Sequence, residues 1–370
     1  MPIRATKRGA QRTTIQRDAD VLICGASFAG LAVARELASS GAAVMVIDRY
    51  EIGERQTSAC AIPTTWLQAL DLMGAHRQTF GRLVIHTPHS TADFDLPWTF
   101  STFAYQEMCA LLAEQGGDFM FETAKVDGRL AGSPKGIHTI ITDRGEIRAP
   151  LVIDGLGWRR VLGGGEPIQP PNAYLSRGLE VDPAGRGDAL ELWIDRRYVP
   201  AGYGWSFPAE GEVRVGVGSF DPAFHVKDST VNLAKDLNRA PERFQGNWIP
   251  HRLREATEDG IFFVGDSAGH CLPLTAEGIR PALYFGIAAG RQLVSVLAGR
   301  QTTADALRRY GEFSASHRWK FESMLAVQRL IPQVPPRLLA PLLNGMTRKR
   351  FVDWSFGHYL QIAPASFVNG

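Results

Sequence analysis

The sequence predicts an α/β protein: a Rossmann-type nucleotide-binding domain, an antiparallel-sheet second domain and a C-terminal helical segment. Three observations predict it. "VLICGASFAGLAVARELASSGAAVMVID" at 21–48 runs strand, glycine turn, helix, strand, the order of a parallel sheet. "IFFVGDSAGHCLPLTAEGI" at 261–279 repeats a strand–loop–helix unit late in the chain. Between them lie short β-rich runs broken by Gly and Pro. With 370 residues the chain exceeds one ordinary core, so two sub-domains or one large α/β unit is expected.

In the first unit Val21 to Cys24 is an apolar run suited to a buried parallel strand. Gly25 opens the turn, Ala29 to Leu37 carries helix formers, Gly41 stops the helix, and Val44 to Ile47 forms the second strand. The GxGxxG fingerprint reads Gly25-Ala26-Ser27-Phe28-Ala29-Gly30, with Ser27 at the middle glycine. Gly25 permits the sharp turn, and Gly30 lets the helix lie close on the strand. The helix N-terminus then offers free N–H groups to a pyrophosphate, to which Ser27 could add its hydroxyl. Asp48, followed by Arg49, stands where an acid would bind a ribose 2′-OH.

The second unit admits two readings, a flavin site that would favour FAD over NAD or a plain strand–loop–helix crossover in which Asp266 caps the turn. Its strand, Ile261 to Val264, ends in Gly265-Asp266, an acid suited to ribityl hydroxyls. After a loop containing Pro273, a helix opens around Glu277-Gly278. Its N-terminus would stabilise negative charge building on a flavin. Asp154-Gly155 closes another apolar strand in "IRAPLVIDGLGWRRVLG". No second nucleotide fingerprint follows, so electrons would come from an external donor, NAD(P)H or a redox protein.

Composition excludes several classes. Apolar residues make up 45% and charged residues 21%, and 40 basic against 38 acidic residues leave net +2. That balance argues against nucleic-acid binding through bulk charge. The N-terminus, "MPIRATKRGAQRTTIQR", is basic without the apolar region of a signal peptide, and residues 1–17 are expected to be a disordered basic tail. Cys24, Cys60, Cys109 and Cys271 form no CxxC pair and the histidines no HExxH, so no metal site is expected. No apolar run reaches the roughly 20 residues of a membrane span. A cytoplasmic protein, with peripheral membrane contact open to it, is expected.

"AGYGWSFPAEGEVRVGVGSF" at 201–220 places Tyr203, Trp205 and Phe207 on alternate positions. Alternation admits two readings: a half-buried strand, or an aromatic wall beside an apolar ligand.

These pieces resemble FAD-dependent oxidoreductases built like para-hydroxybenzoate hydroxylase. The Gly-rich turn with Asp48, the Asp154-Gly155 motif and the Gly265-Asp266 motif occur in that family's order. Within it, "GDSAGHCLPLTAEGI" is similar to the GDAAG…PLTGEGI of the geranylgeranyl reductase branch, with Ala276 replacing a glycine. Tyr203-Gly204-Trp205-Ser206-Phe207-Pro208, followed by Gly216-Val217-Gly218, matches its YxWxFP…GxG motif. Cys60 resembles that branch's cysteine near the flavin, without the usual following Gly-acid.

The resemblance implies FAD held by Gly25 to Gly30, Asp48, Arg49, Gly265, Asp266, Pro273, Ala276, Glu277, Gly278 and Ile279. It implies a small apolar, isoprenoid substrate against Tyr203, Trp205 and Phe207, with His270 and Cys271 as further candidates. The implied reaction reduces a carbon–carbon double bond, with Cys60 and Tyr203 as candidate proton donors. The alternatives are a monooxygenase and a redox-neutral cyclase; a halogenase is disfavoured because no lysine occurs between Lys7 and Lys125. The FAD domain is expected over 18–60, 103–160 and 252–300, and the substrate domain over 61–102 and 161–251. A helical segment over 301–370 would cap the tunnel or lie on a membrane surface.

Overall fold

The computed structural model describes residues 3–4, 13–56, 59–130, 136–165, 169–170 and 172–370. Among them three sheets form. The first is largely parallel, in the order Ile3–Arg4, Met120–Thr123, Val44–Asp48, Val21–Cys24, Leu151–Asp154, Ile261–Phe263, Thr257–Glu258; only the last pair is antiparallel. Val21–Cys24 is buried throughout, as befits a central strand covered on both faces.

The helix Phe28–Leu37 packs on the long helix Ile279–Leu297. Small residues set their separation: a Cβ at Gly286 would lie 2.6 Å from the Ala29 carbonyl oxygen, and one at Gly290 would lie 2.6 Å from Glu36 Cβ. Ile279–Leu297 therefore presses against the nucleotide turn, with its N-terminus beside it.

A second, four-stranded sheet contains Ile15–Asp18, Gly145–Ala149, His138–Thr142 and Val126–Arg129. This corrects the expectation for residues 1–17. Ile15 is buried, the strand Ile15–Asp18 pairs parallel with Gly145–Ala149, and Ile3–Arg4 edges the first sheet. Apolar Ile15 and unpaired sheet edges drew these parts of the basic tail into structure; residues 1, 2 and 5–12 lie outside the described residues.

The third sheet runs Gln245–Pro250, Leu175–Val181, Val213–Ser219, Gly202–Pro208, Leu190–Trp193, His76–His86, Thr91–Phe103, Ala61–Pro63. It is antiparallel except where Leu190–Trp193 meets His76–His86. In place of short strands, His76–His86 and Thr91–Phe103 make one long bulged hairpin. One sheet face packs on the helix Lys227–Asp236 through Val181, Trp193, Val215, Val217 and Leu233. Against the long hairpin pack the helices Pro336–Met346 and Lys349–Leu360, through Phe94, Leu339, Leu343 and Val352. With Thr303–Ala315 and Arg318–Leu330, these helices build the C-terminal segment.

Candidate active site

One continuous cavity of about 1650 Å³ runs from the nucleotide turn to the third sheet and the C-terminal helices. That exceeds the roughly 300–1,000 Å³ of an ordinary small-ligand pocket. Ser27, Phe28, Ala29, Asp48 and Arg49 line one end, and Gly265, Asp266 and Ala276 to Ile279 line the middle.

The glycines of the nucleotide end are sterically required. Gly25 has φ +110, and a Cβ there would lie 2.3 Å from the Gly155 carbonyl oxygen; at Gly30 it would lie 1.9 Å from the Gly25 oxygen. Gly265, at φ +60, passes within 2.9 Å of the Ala29 methyl by the same measure. Ser27 caps the helix without a side-chain hydrogen bond to it, so first-turn N–H groups face the cavity. Its hydroxyl pairs with the Tyr105 hydroxyl at 3.1 Å at the cavity wall.

The three motif acids do different work. Asp48 accepts from the Ala26 and Tyr50 amides at 2.9 and 3.0 Å, clamping the turn to the second strand. Asp154 is saturated: it accepts from the Leu156 and Leu162 amides and from Ser267 Oγ at 2.7 Å, tying the Asp-Gly and Gly-Asp motifs together. Asp266 lines the cavity, and no hydrogen bond to its carboxylate forms among the described residues. Burial pushes its pKa up to about 6, against the pull of Arg254. A half-buried carboxylate that lines the cavity without a donor can take one from a ligand. Glycines that clear a path, helix N-termini and this acid all fit FAD. Its pyrophosphate would lie on the Ser27–Gly30 turn, and its ribityl hydroxyls would reach Asp266.

The loop before the long helix is pinned from the C-terminus. Glu277 holds Arg280 through two 2.7 Å contacts and accepts a short hydrogen bond from Tyr359. Arg280, fully buried, donates to the carbonyls of Tyr359, Leu360 and Ala363. Ala276, where the related motif has glycine, sits at φ +51, a left-handed conformation that strains a residue bearing Cβ.

At the far end Tyr203, Trp205 and Phe207 line the cavity, while Gly204 on the opposite face approaches Leu233. The rings belong to neither core cluster of that sheet. Gly216-Val217-Gly218 now has a physical reason. Trp205 pairs with Gly216, and its indole covers that glycine so closely that a Cβ would meet ring carbon at 2.2 Å. Trp205 Nε1 then donates to Glu180 Oε2 at 3.0 Å. Tyr203 donates to the Thr275 carbonyl at 2.5 Å, so its hydroxyl proton ties the third sheet to the loop before the long helix.

The other sequence-derived candidates divide. Cys60 and Cys271 line the cavity. Cys60 is buried at φ +53, and burial raises its thiol pKa far above the usual range. The Arg214 guanidinium pins its turn through the Ala59, Cys60 and Phe103 carbonyls. His270 does not face the cavity: it stacks on Phe285 at 3.8 Å and pairs with Ser314 Oγ at 2.9 Å, because its strand–loop turn directs it beneath the long helix. Pro273 is outside the lining too; its carbonyl accepts from Gln328.

Sequence reasoning missed Glu180. Only 3% exposed, it stands in the cavity wall, held by Trp205 and by Gln245 Nε2, which also bonds Asp182. Burial, then the neighbouring Asp182, push its pKa up to about 7. An acid within the apolar run "LEV" was the available signal, but only sheet register sets it beside Trp205. Among the described residues no cluster could hold a metal ion, and no helix is long and apolar enough to cross a membrane.

The geometry agrees with known proteins. An FAD binding domain model matches residues 18–89. Digeranylgeranylglycerophospholipid reductase 3 of Methanosphaera stadtmanae is 24% identical, over 85% of this chain and 87% of its own length. Reductase 2 of Methanopyrus kandleri is 26% identical, over 89% and 91%. In fold, a geranylgeranyl bacteriochlorophyll reductase-like protein of Thermoplasma acidophilum aligns with TM-score 0.81 at 18% identity, covering 95% of this chain and 98% of that one. The p-nitrophenol 4-monooxygenase of Pseudomonas putida aligns with TM-score 0.72 at 14% identity, covering 94% and 99%. With its nucleotide cradle, continuous cavity and these likenesses, the chain is an FAD-dependent oxidoreductase similar in sequence to the digeranylgeranylglycerophospholipid reductases.

Proposed function

We propose that this chain reduces carbon–carbon double bonds of an isoprenoid lipid. The observation that carries the reading is the aromatic strand: Tyr203, Trp205 and Phe207 wall the same apolar cavity whose other end is the nucleotide cradle. Rings give a prenyl chain large contact area with few rotamers to freeze. FAD, when bound and reduced, supplies hydride. The chain's residues hold the lipid, exclude water and supply the proton. Cys60 stands in the wall, but its thiol is a weak acid at neutral pH. Glu180, raised to about 7, is better matched to give a proton there. Electrons come from NAD(P)H or a redox protein, and a lipid substrate implies peripheral membrane contact.

The test is anaerobic. Dithionite-reduced holoenzyme is mixed with a polyprenyl lipid, and flavin absorbance and product mass are followed. Reoxidation without oxygen, with two mass units gained per bond, is expected. Reoxidation only after oxygen enters, with oxygen in the product, would overturn the reading in favour of a monooxygenase; an isomeric product over unchanged reduced flavin would favour a cyclase.

A further inference from the structure

Of the twelve large apolar side chains exposed among the described residues, seven lie within 319–354: Trp319, Val327, Leu330, Leu338, Leu342, Phe351 and Trp354. They sit on the three helices Arg318–Leu330, Pro336–Met346 and Lys349–Leu360. Four of them, Trp319, Val327, Leu342 and Trp354, also line the cavity, so the apolar patch rims its opening. Leu338 is 61% and Trp354 60% exposed. Clustered exposure of this size marks a contact surface.

Charge identifies the occupant. Residues 318–354 hold seven basic and two acidic side chains in a protein of net +2. One of those acids, Asp353, is already paired with Lys349. Arg329, Arg337, Arg348 and Arg350 are exposed, and no ion pair to them forms among the described residues. Tryptophan and leucine beside unpaired arginines on a helical face suit an anionic lipid–water interface, where rings enter the acyl boundary and guanidinium groups meet phosphates. A second copy of the chain would bring a net of five positive charges against the same five.

We propose that this three-helix face docks on an anionic bilayer, with the cavity opening turned into the membrane so that a lipid chain passes to the aromatic strand without crossing water. The proposal rests on the lipid-substrate reading for its purpose, but not for its test. Holoenzyme is sedimented with vesicles of phosphatidylcholine alone and with 30% phosphatidylglycerol. Binding to the anionic vesicles that weakens with salt is expected. The variants Leu330→Asp/Leu338→Asp and Arg348→Glu/Arg350→Glu, outside the cavity lining, should bind at least tenfold more weakly while keeping flavin content and circular dichroism. They should also keep turnover of a short, detergent-dispersed prenyl substrate; docking without any such turnover would fault the substrate reading alone. Undiminished vesicle binding by both variants would overturn the docking face. So would no binding by the parent protein, or a dimer that the variants dissociate in sedimentation analysis.

Discussion

Replacing Glu180 by glutamine tests the buried acid at the centre of the site. Its carboxyl is 3% exposed and its pKa stands at about 7 against an ordinary 4.5. A raised acid pKa means that the folded state holds its proton more tightly than the unfolded chain. The associated stability is complete below about pH 4.5 and is lost as pH rises through about 7. A shift of roughly 2.5 units at ~1.36 kcal/mol each makes that loss about 3 kcal/mol. Glutamine cannot ionise, and its amide oxygen can still accept from Trp205 Nε1. Urea unfolding at fixed excess FAD, at pH 5 and pH 8, should show the parent protein losing about 2.5 kcal/mol more than Glu180→Gln between those values, part of the loss having occurred by pH 5. If Glu180 gives the proton, the same variant should turn over more slowly at every pH and lack the parent's fall above about pH 7. Parallel stability–pH curves for the two proteins would refute the argument, since an acid that titrates normally has no role for burial to tune.

Asp266→Ala should weaken FAD by about 1.5–3 kcal/mol, roughly the value of hydrogen bonds to a charged group, read by flavin titration of the apoprotein. Gly30→Val, whose Cβ would lie 1.9 Å from the Gly25 oxygen, should abolish FAD binding altogether. Ala276→Gly relieves a left-handed strain of roughly 1–2 kcal/mol, partly offset by unfolded-chain entropy, so a Tm unchanged or raised by a few degrees is expected. Trp205→Ala should keep FAD yet cost about 2 kcal/mol in prenyl-ligand affinity by calorimetry, whereas a fall in Tm alone would return the ring to a structural role.

Local chemistry made much of this protein legible. Gly25, Gly30 and Gly265 announce themselves because a turn, a close helix or a positive φ tolerates no side chain, and such constraints lie within a few residues. Val21–Cys24 was readable as a strand from its short apolar run before a glycine turn, and the alternation of Tyr203, Trp205 and Phe207 already assigned them one face.

What the amino-acid order determined was therefore the nucleotide cradle, the α/β class and the aromatic face. Tertiary structure decided which acids are free and which are spent. Asp154 and Asp266 look alike at their strand ends, yet the first is saturated by Ser267 and two amides while the second faces the cavity. It also decided that His270 turns beneath a helix, that Ile15 draws part of a basic tail into a sheet, and that Glu180 lies beside Trp205. Each of these depends on partners tens to hundreds of residues away. A side chain's solvation and hydrogen bonding are properties of the assembled register, which no local pattern encodes.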